Sequence, residues 1–136
     1  EMVMIKGANG KEQAIYRAVA ADGKRLGWVL PAMGQGFADR VDVLIGVNSD
    51  VTTITGLYVL DQKETPGLGA LITGEDFLKQ FRGVATAEPI KVVKAEPAAG
   101  QILAITGATI SSDTVADIVN KAIENLKEPI RKLDTK

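Results

Sequence analysis

The chain has 136 residues, 46% of them hydrophobic and 24% charged, with 16 basic against 17 acidic side chains and neither Cys nor His. That length suits one domain with a real core, and the balanced charge points neither to nucleic acid nor to an anionic membrane surface. Without Cys and His, disulfides, Fe–S clusters, c-type haem attachment, the usual zinc sites and the Ser-His-Asp or Cys-His nucleophile systems are all excluded, so any redox chemistry has to be carried by a bound organic cofactor. No stretch approaches the length of a membrane-spanning helix. The chain opens on Glu1, which is expected if a leader or anchor precedes it.

Residues 1–12 read as a lead-in. From Gln13 to Ala21 the chain alternates, with Ala14, Tyr16, Ala18 and Ala20 set against Ile15, Arg17 and Val19. Asp22-Gly23-Lys24 is a turn signal, and Leu26 to Pro31 returns as a second strand holding Trp28. Ala32-Met33-Gly34-Gln35-Gly36-Phe37 reads as a glycine-rich loop, either a plain connection or a close approach to a ligand. Val41 to Val47 and Val51 to Leu60 form the strongest hairpin, β-branched and alternating, about the turn Asn48-Ser49-Asp50.

Asp61 to Gly69 is a loop, with Pro66-Gly67 suited to the centre of a turn. It sets Leu68 between two glycines, where a leucine either tucks into the core or stays exposed for an apolar planar partner. Thr73 is placed to cap a short helix, with Asp76 completing a partial capping box, Phe77, Leu78 and Phe81 as its apolar face, and Arg82-Gly83 as its end. Ile90 to Val93 is a further strand, Glu96 to Gly100 a turn, and Ile102 to Ile105 a short apolar run. Thr106-Gly107-Ala108-Thr109-Ile110-Ser111-Ser112 then opens a long amphipathic helix carrying Val115, Ile118, Val119, Ala122, Ile123 and Leu126 at helical spacing. Ser111 and Ser112 are both credible N-caps. Asp113 and Asp117 lie early, and Lys121 and Lys127 late, as the helix dipole favours. Thr109 therefore stands just before a helix N-terminus, where a phosphate is welcome. The plainer alternative is a capped helix after a tight turn. Beyond Leu126, Pro129 and a charged run predict a fraying tail or a short extra turn over residues 128–136.

Thr106-Gly107-Ala108-Thr109-Ile110-Ser111-Ser112 resembles the flavinylation motif of the FMN-binding domain family, found in one subunit each of Rnf electron-transport complexes and Na+-translocating NADH:quinone reductases. Glu64-Thr65-Pro66-Gly67-Leu68-Gly69 is similar to a second signature of that family, in the same order along the chain. The two motifs and the strands around them cover roughly residues 13–127. A glycine-rich segment also precedes the central hairpin in that family. Here its usual aromatic is replaced by Gln35, with Phe37 after the second glycine.

The resemblance implies covalent FMN, as phosphothreonyl-FMN, on Thr109. Gly107 and Ala108 would leave room for the phosphate and the modifying enzyme, with Thr106 among the cofactor-binding residues. Ile110 would border the site, and backbone N–H groups near Ser111 and Ser112 would hold the phosphate. Glu64, Thr65, Gly67, Leu68 and Gly69 would border the isoalloxazine, with Leu68 packed on it. A flavin transferase using FAD and Mg2+ would make the attachment. No metal ligand and no general acid or base for substrate turnover is identified, so the implied role is that of an electron-transfer component rather than a stand-alone enzyme. The implied setting is a membrane redox complex, with its other subunits as partners, on the extracytoplasmic (periplasmic) side and held through an anchor. The alternatives are a flavinylated module of another extracytoplasmic electron-transfer system, and a small binding domain without flavin. In fold terms, hairpins first and helices later give an α+β class. The expectation is an antiparallel sheet of hairpins with packed helices, a single FMN-binding domain over residues 13–127.

Overall fold

Alternating apolar strands need one covered face, and a single long amphipathic helix can supply it. The computed structural model has this arrangement and describes residues 2–35, 40–61, 72, 74–105 and 109–134. Strands β1 (Met2–Lys6), β2 (Glu12–Val19), β3 (Arg25–Gln35), β4 (Arg40–Val47) and β5 (Ile54–Asp61) form an antiparallel sheet in sequence order. Helix α1 (Glu75–Leu78) runs into a 3₁₀ turn, Lys79–Phe81. A two-stranded sheet pairs β6 (Lys91–Val93) with β7 (Gln101–Leu103), and α2 (Thr109–Asp134) closes the chain. The class is α+β, as expected.

The core lies between the sheet and α2. Ile15, Trp28, Leu30, Val43, Ile45, Val47 and Leu57 face Val115, Val119, Ile123 and Leu126, all of them buried. Arg17 stands opposite Trp28 in the register and lays its guanidinium over the indole at 4.6 Å. On the far face of the sheet Met2, Met4, Tyr16, Met33 and Tyr58 are exposed.

Several expectations are corrected by packing. The lead-in at residues 1–12 supplies β1, whose Val3 and Ile5 line up with Ile15 and Gln13. The second strand does not stop at Pro31. It continues to Gln35 because β4 pairs along it from Trp28↔Val47 to Gln35↔Arg40. The first four residues of the expected glycine loop, Ala32 to Gln35, are therefore strand. Gly34 is there for clearance: a Cβ on it would lie 2.6 Å from the Ile118 side chain of α2. β2 is registered with β3 only from Tyr16 to Val19. Ahead of that, Pro31 has no N–H to give, and the Gln13 side-chain amide donates to its carbonyl at 3.2 Å.

The alternation predicted for residues 51–60 changes phase. A bulge opposite Gly46 and Val47 brings both Ile54 and Leu57 to the core face. The last strand pair is parallel, Lys91↔Gln101 to Val93↔Leu103, although a short turn would ordinarily give an antiparallel one. The short helix is capped at Gly74, with no side-chain cap bond, and Thr73 lies outside the described residues.

The tail expected at residues 128–136 is helical to Asp134, with Pro129 inside the helix. An interior Pro costs about 3 kcal/mol, partly because it cannot bond the carbonyl four residues back. Here that carbonyl, on Asn125, accepts the Ala8 N–H at 2.9 Å, while the Asn125 side chain accepts the Asn9 N–H at 2.8 Å. Ile130, fully buried on the next position, adds about 1.5–3 kcal/mol in favour of continuing. Lys121 and Lys127 thus lie mid-helix, and Arg131 and Lys132 are the basic residues of the last turn.

Gly34→Ala is expected to destabilise the fold by about 1–3 kcal/mol through overpacking against Ile118. Urea denaturation reads this directly, and Ile118→Val in the same chain should recover part of the loss. A Gly34→Ala protein as stable as the parent would show that α2 is not seated so closely on β3.

Candidate functional site

The orientation of α2 sets where its N-terminus can act. Ile118 sits against Gly34 near the end of β3. Arg131 Nε donates to the Asp50 carbonyl at 3.0 Å, at the opposite end, where β4 turns into β5. The helix therefore runs along the sheet, and Thr109 lies about 14 Å before Ile118 at 1.5 Å per residue. That places it toward the end where β3 stops at Gln35, β4 starts at Arg40 and Asp42 pairs with Asp61 at the close of β5. Both glycine-bearing segments leave described strands at that end.

Thr109 is the first residue of α2, not the residue before it, and its side chain is half-buried. Ile110 is exposed. Ser111 and Ser112 are buried at 3% and 0% exposure, inside the first turn. The expected capping role is corrected accordingly. Ser112 Oγ accepts the N–H of Ile105 at 3.0 Å, tying the helix back to the segment after β7. Thr114 Oγ1 donates to the Ile110 carbonyl at 2.9 Å. The first turn holds no acidic residue, so within that turn the positive end of the dipole meets no carboxylate. A helix start of that kind suits a phosphate ester. Thr106, Gly107 and Ala108, and the whole second motif with Glu64, Thr65, Gly67, Leu68 and Gly69, lie outside the described residues, as do Gly36 and Phe37.

Beside this turn is a shallow cleft of about 410 Å³, bordered by Ile90, Val92, Ile110, Asp113, Thr114 and Asn120. Asn120 holds its wall in place. Its Oδ1 accepts the Ile90 N–H at 2.7 Å and its Nδ2 donates to the Ile90 carbonyl at 2.9 Å. The sequence signal for this clamp is a poor helix former in the middle of an apolar stripe, which calls for a partner. A larger cavity of about 1150 Å³ opens where β2 parts from β3, bordered by Gln13, Pro31, Met33, Ile118 and Asn125, and Thr109 does not line it. Among the described residues no group of His, Cys, Asp and Glu could hold a metal ion, and no helix is long and apolar enough to cross a membrane.

A sequence model of the FMN-binding domain matches residues 36–124. This chain belongs to the FMN-binding domain family. The match takes in β4, β5, both expected motifs and most of α2. Among relatives of this FMN-binding domain, a subunit of the ion-translocating oxidoreductase complex of Methanosarcina acetivorans is 38% identical over 109 residues, covering 80% of this chain and 56% of that one. A subunit of the proton-translocating ferredoxin:NAD(+) oxidoreductase complex of Clostridium ljungdahlii is 33% identical, covering 87% and 62%. The chain thus spans little more than half the length of these relatives. Among solved structures, a subunit of the Na(+)-translocating NADH-quinone reductase of Parabacteroides distasonis superposes with a TM-score of 0.79 at 27% identity, over 90% of this chain and 65% of that one. Shewanella oneidensis NqrC, at 21% identity, shares the fold with a TM-score of 0.85 over 93% and 63%.

Asn120→Ala should cost about 1–3 kcal/mol, because it leaves the Ile90 N–H and carbonyl without their partner. Denaturation gives the size, and amide exchange should be faster at Ile90 than elsewhere around the sheet. Uniform acceleration would mean that the clamp is not local.

Proposed function

We propose that this domain is an electron carrier holding FMN through a phosphoester on Thr109, within an Rnf-type or Na+-translocating NADH:quinone-reductase-type complex. The family membership supports FMN as the ligand. The observation that carries the attachment point is Thr109 itself. It is a half-buried hydroxyl on the first residue of α2, in a turn free of carboxylates, at the end of the sheet where both glycine-bearing segments leave it. Thr65 and Leu68 orient the ring in this reading, while Gly107 and Ala108 leave the hydroxyl open to a second protein. The flavin, when bound, supplies the electron-accepting and electron-donating chemistry.

Attachment needs a transferase and FAD. Thr109 Oγ1 bonds to the FMN phosphorus, the pyrophosphate P–O bond breaks, AMP leaves, and the hydroxyl proton passes to a base on the transferase. Partners are the other subunits of the complex, placed at the extracytoplasmic side of a membrane. The names of the relatives, as subunits of ion-translocating oxidoreductase complexes, support that assembly.

Residues 106–112 contain no Lys or Arg. The phosphate then relies on N–H groups, hydroxyls and the dipole, the last worth about 0.3–1 kcal/mol at a surface. Micromolar binding needs about 8 kcal/mol, so the tether is what retains the flavin.

After co-expression with a flavin transferase, intact mass should rise by one FMN less one water, and Thr109→Val should abolish the gain. An adduct persisting in Thr109→Val would move the attachment elsewhere. Titration of Thr109→Val with FMN should show a Kd weaker than about 1 μM. Tighter binding would mean that the pocket alone suffices.

A further inference from the structure

We infer that Ser112 is the positioning residue for flavin transfer: its buried hydroxyl oxygen fixes the strand-side end of the acceptor turn, and so sets where the Thr109 hydroxyl stands. This rests on the attachment reading above.

The Ala104 N–H bonds the Val93 carbonyl at 2.8 Å, continuing the β6–β7 pairing. The next amide, Ile105, is past that sheet. It donates to Ser112 Oγ across seven residues, and Ser112 is fully buried in the first turn of α2. Thr114, two positions on, shows the local use of a helix hydroxyl, donating to its own helix at Ile110. The Ser112 oxygen accepts from outside the helix. The acceptor segment is thereby held on both sides: by the sheet and Ser112 before Thr106, and by the helix from Thr109 onward. Displacement of a nucleophile by about 1 Å can cost on the order of a hundredfold in rate. Ile105 and Thr109 bound the acceptor segment, so a restraint on those two ends limits such a shift.

Steady-state transfer is measured with transferase, FAD and Mg2+, using wild type, Ser112→Ala, Ser112→Cys and Ile130→Val as acceptors. Cysteine keeps the size but is a weak acceptor. Ile130→Val loosens the far end of α2 without touching the turn. Ser112→Ala and Ser112→Cys should lower kcat at least about tenfold with KM for the acceptor little changed, since docking is intact and geometry is not. Ile130→Val should react as wild type. In wild type the Ile105 amide should be protected from exchange, and Ser112→Ala should release it selectively.

Wild-type kcat in both Ser112 variants overturns the inference, as does equal slowing in Ile130→Val. An unprotected Ile105 amide in wild type does so even if neither Ser112 variant folds. If wild type is modified at Thr109 while the Ser112 variants keep pace, only the positioning role falls. If wild type accepts no flavin, or accepts it elsewhere, the attachment reading falls and this role with it.

Discussion

The rest of the structure depends on how closely α2 lies on β3. Ile118 rests where a Cβ on Gly34 would stand, so the axis of the helix is fixed against the strand at that point. Two further contacts prevent rotation or sliding about it. Asn125 binds the β1–β2 turn through its carbonyl and its side chain, and Arg131 reaches the Asp50 carbonyl in the β4–β5 turn. A helix pinned in this way has no freedom in where it begins. Any chemistry on its first residue is held by this scaffold, to which the bond from Ile105 to Ser112 ties the segment that leads into it.

The hairpins are legible because alternation over four or more β-branched residues has no good helical reading. Val41 to Val47 is the clearest case: its odd residues are all buried and its even ones half-buried. What single-strand patterns cannot show is pairing. The bulge opposite Gly46 and Val47, the continuation of β3 through Gly34, and the parallel match of Lys91 with Gln101 depend on the partner strand and its register, which one strand's own pattern does not contain. Gly34 misleads for the same reason, since close approach by a helix and a loose loop leave the same residue type. Pro129 misleads because its cost is offset by Ala8, more than a hundred residues nearer the N-terminus.

At the site, sequence carries the chemistry and leaves the geometry open. Thr109 can be singled out by motif, and its place at a helix start by the apolar periodicity that follows. The roles of Ser111 and Ser112 cannot be assigned that way, because a serine before a helix and one inside its first turn look alike. Burial decides between them: Ser112 is fully buried and its oxygen takes the Ile105 N–H. The second motif, from Glu64 to Gly69, lies outside the described residues, and its expected role rests on the resemblance alone.

The two ends of α2 are treated oppositely, and the difference has a physical sense. At the C-terminal end, Arg131 and Lys132 face the negative pole of the dipole. The turn it meets is heavily braced: Asn48 Oδ1 accepts the N–H groups of Thr52 and Thr53, and Thr86 Oγ1 donates to the Val51 carbonyl at 2.6 Å. Val51 is held there at a φ of 56°, a conformation a β-branched residue adopts only when its surroundings impose it. At the N-terminal end the first turn has no acidic residue, and the nearest carboxylate in the helix, on Asp113, is exposed. A carboxylate in that turn would stabilise an isolated helix and would compete with a phosphate for the same N–H groups. Leaving it out forgoes about 0.3–1 kcal/mol, a loss that the bracing at the other end lets the fold bear. Among the described residues of α2, then, basic side chains meet the negative pole while no acidic side chain of the first turn meets the positive one.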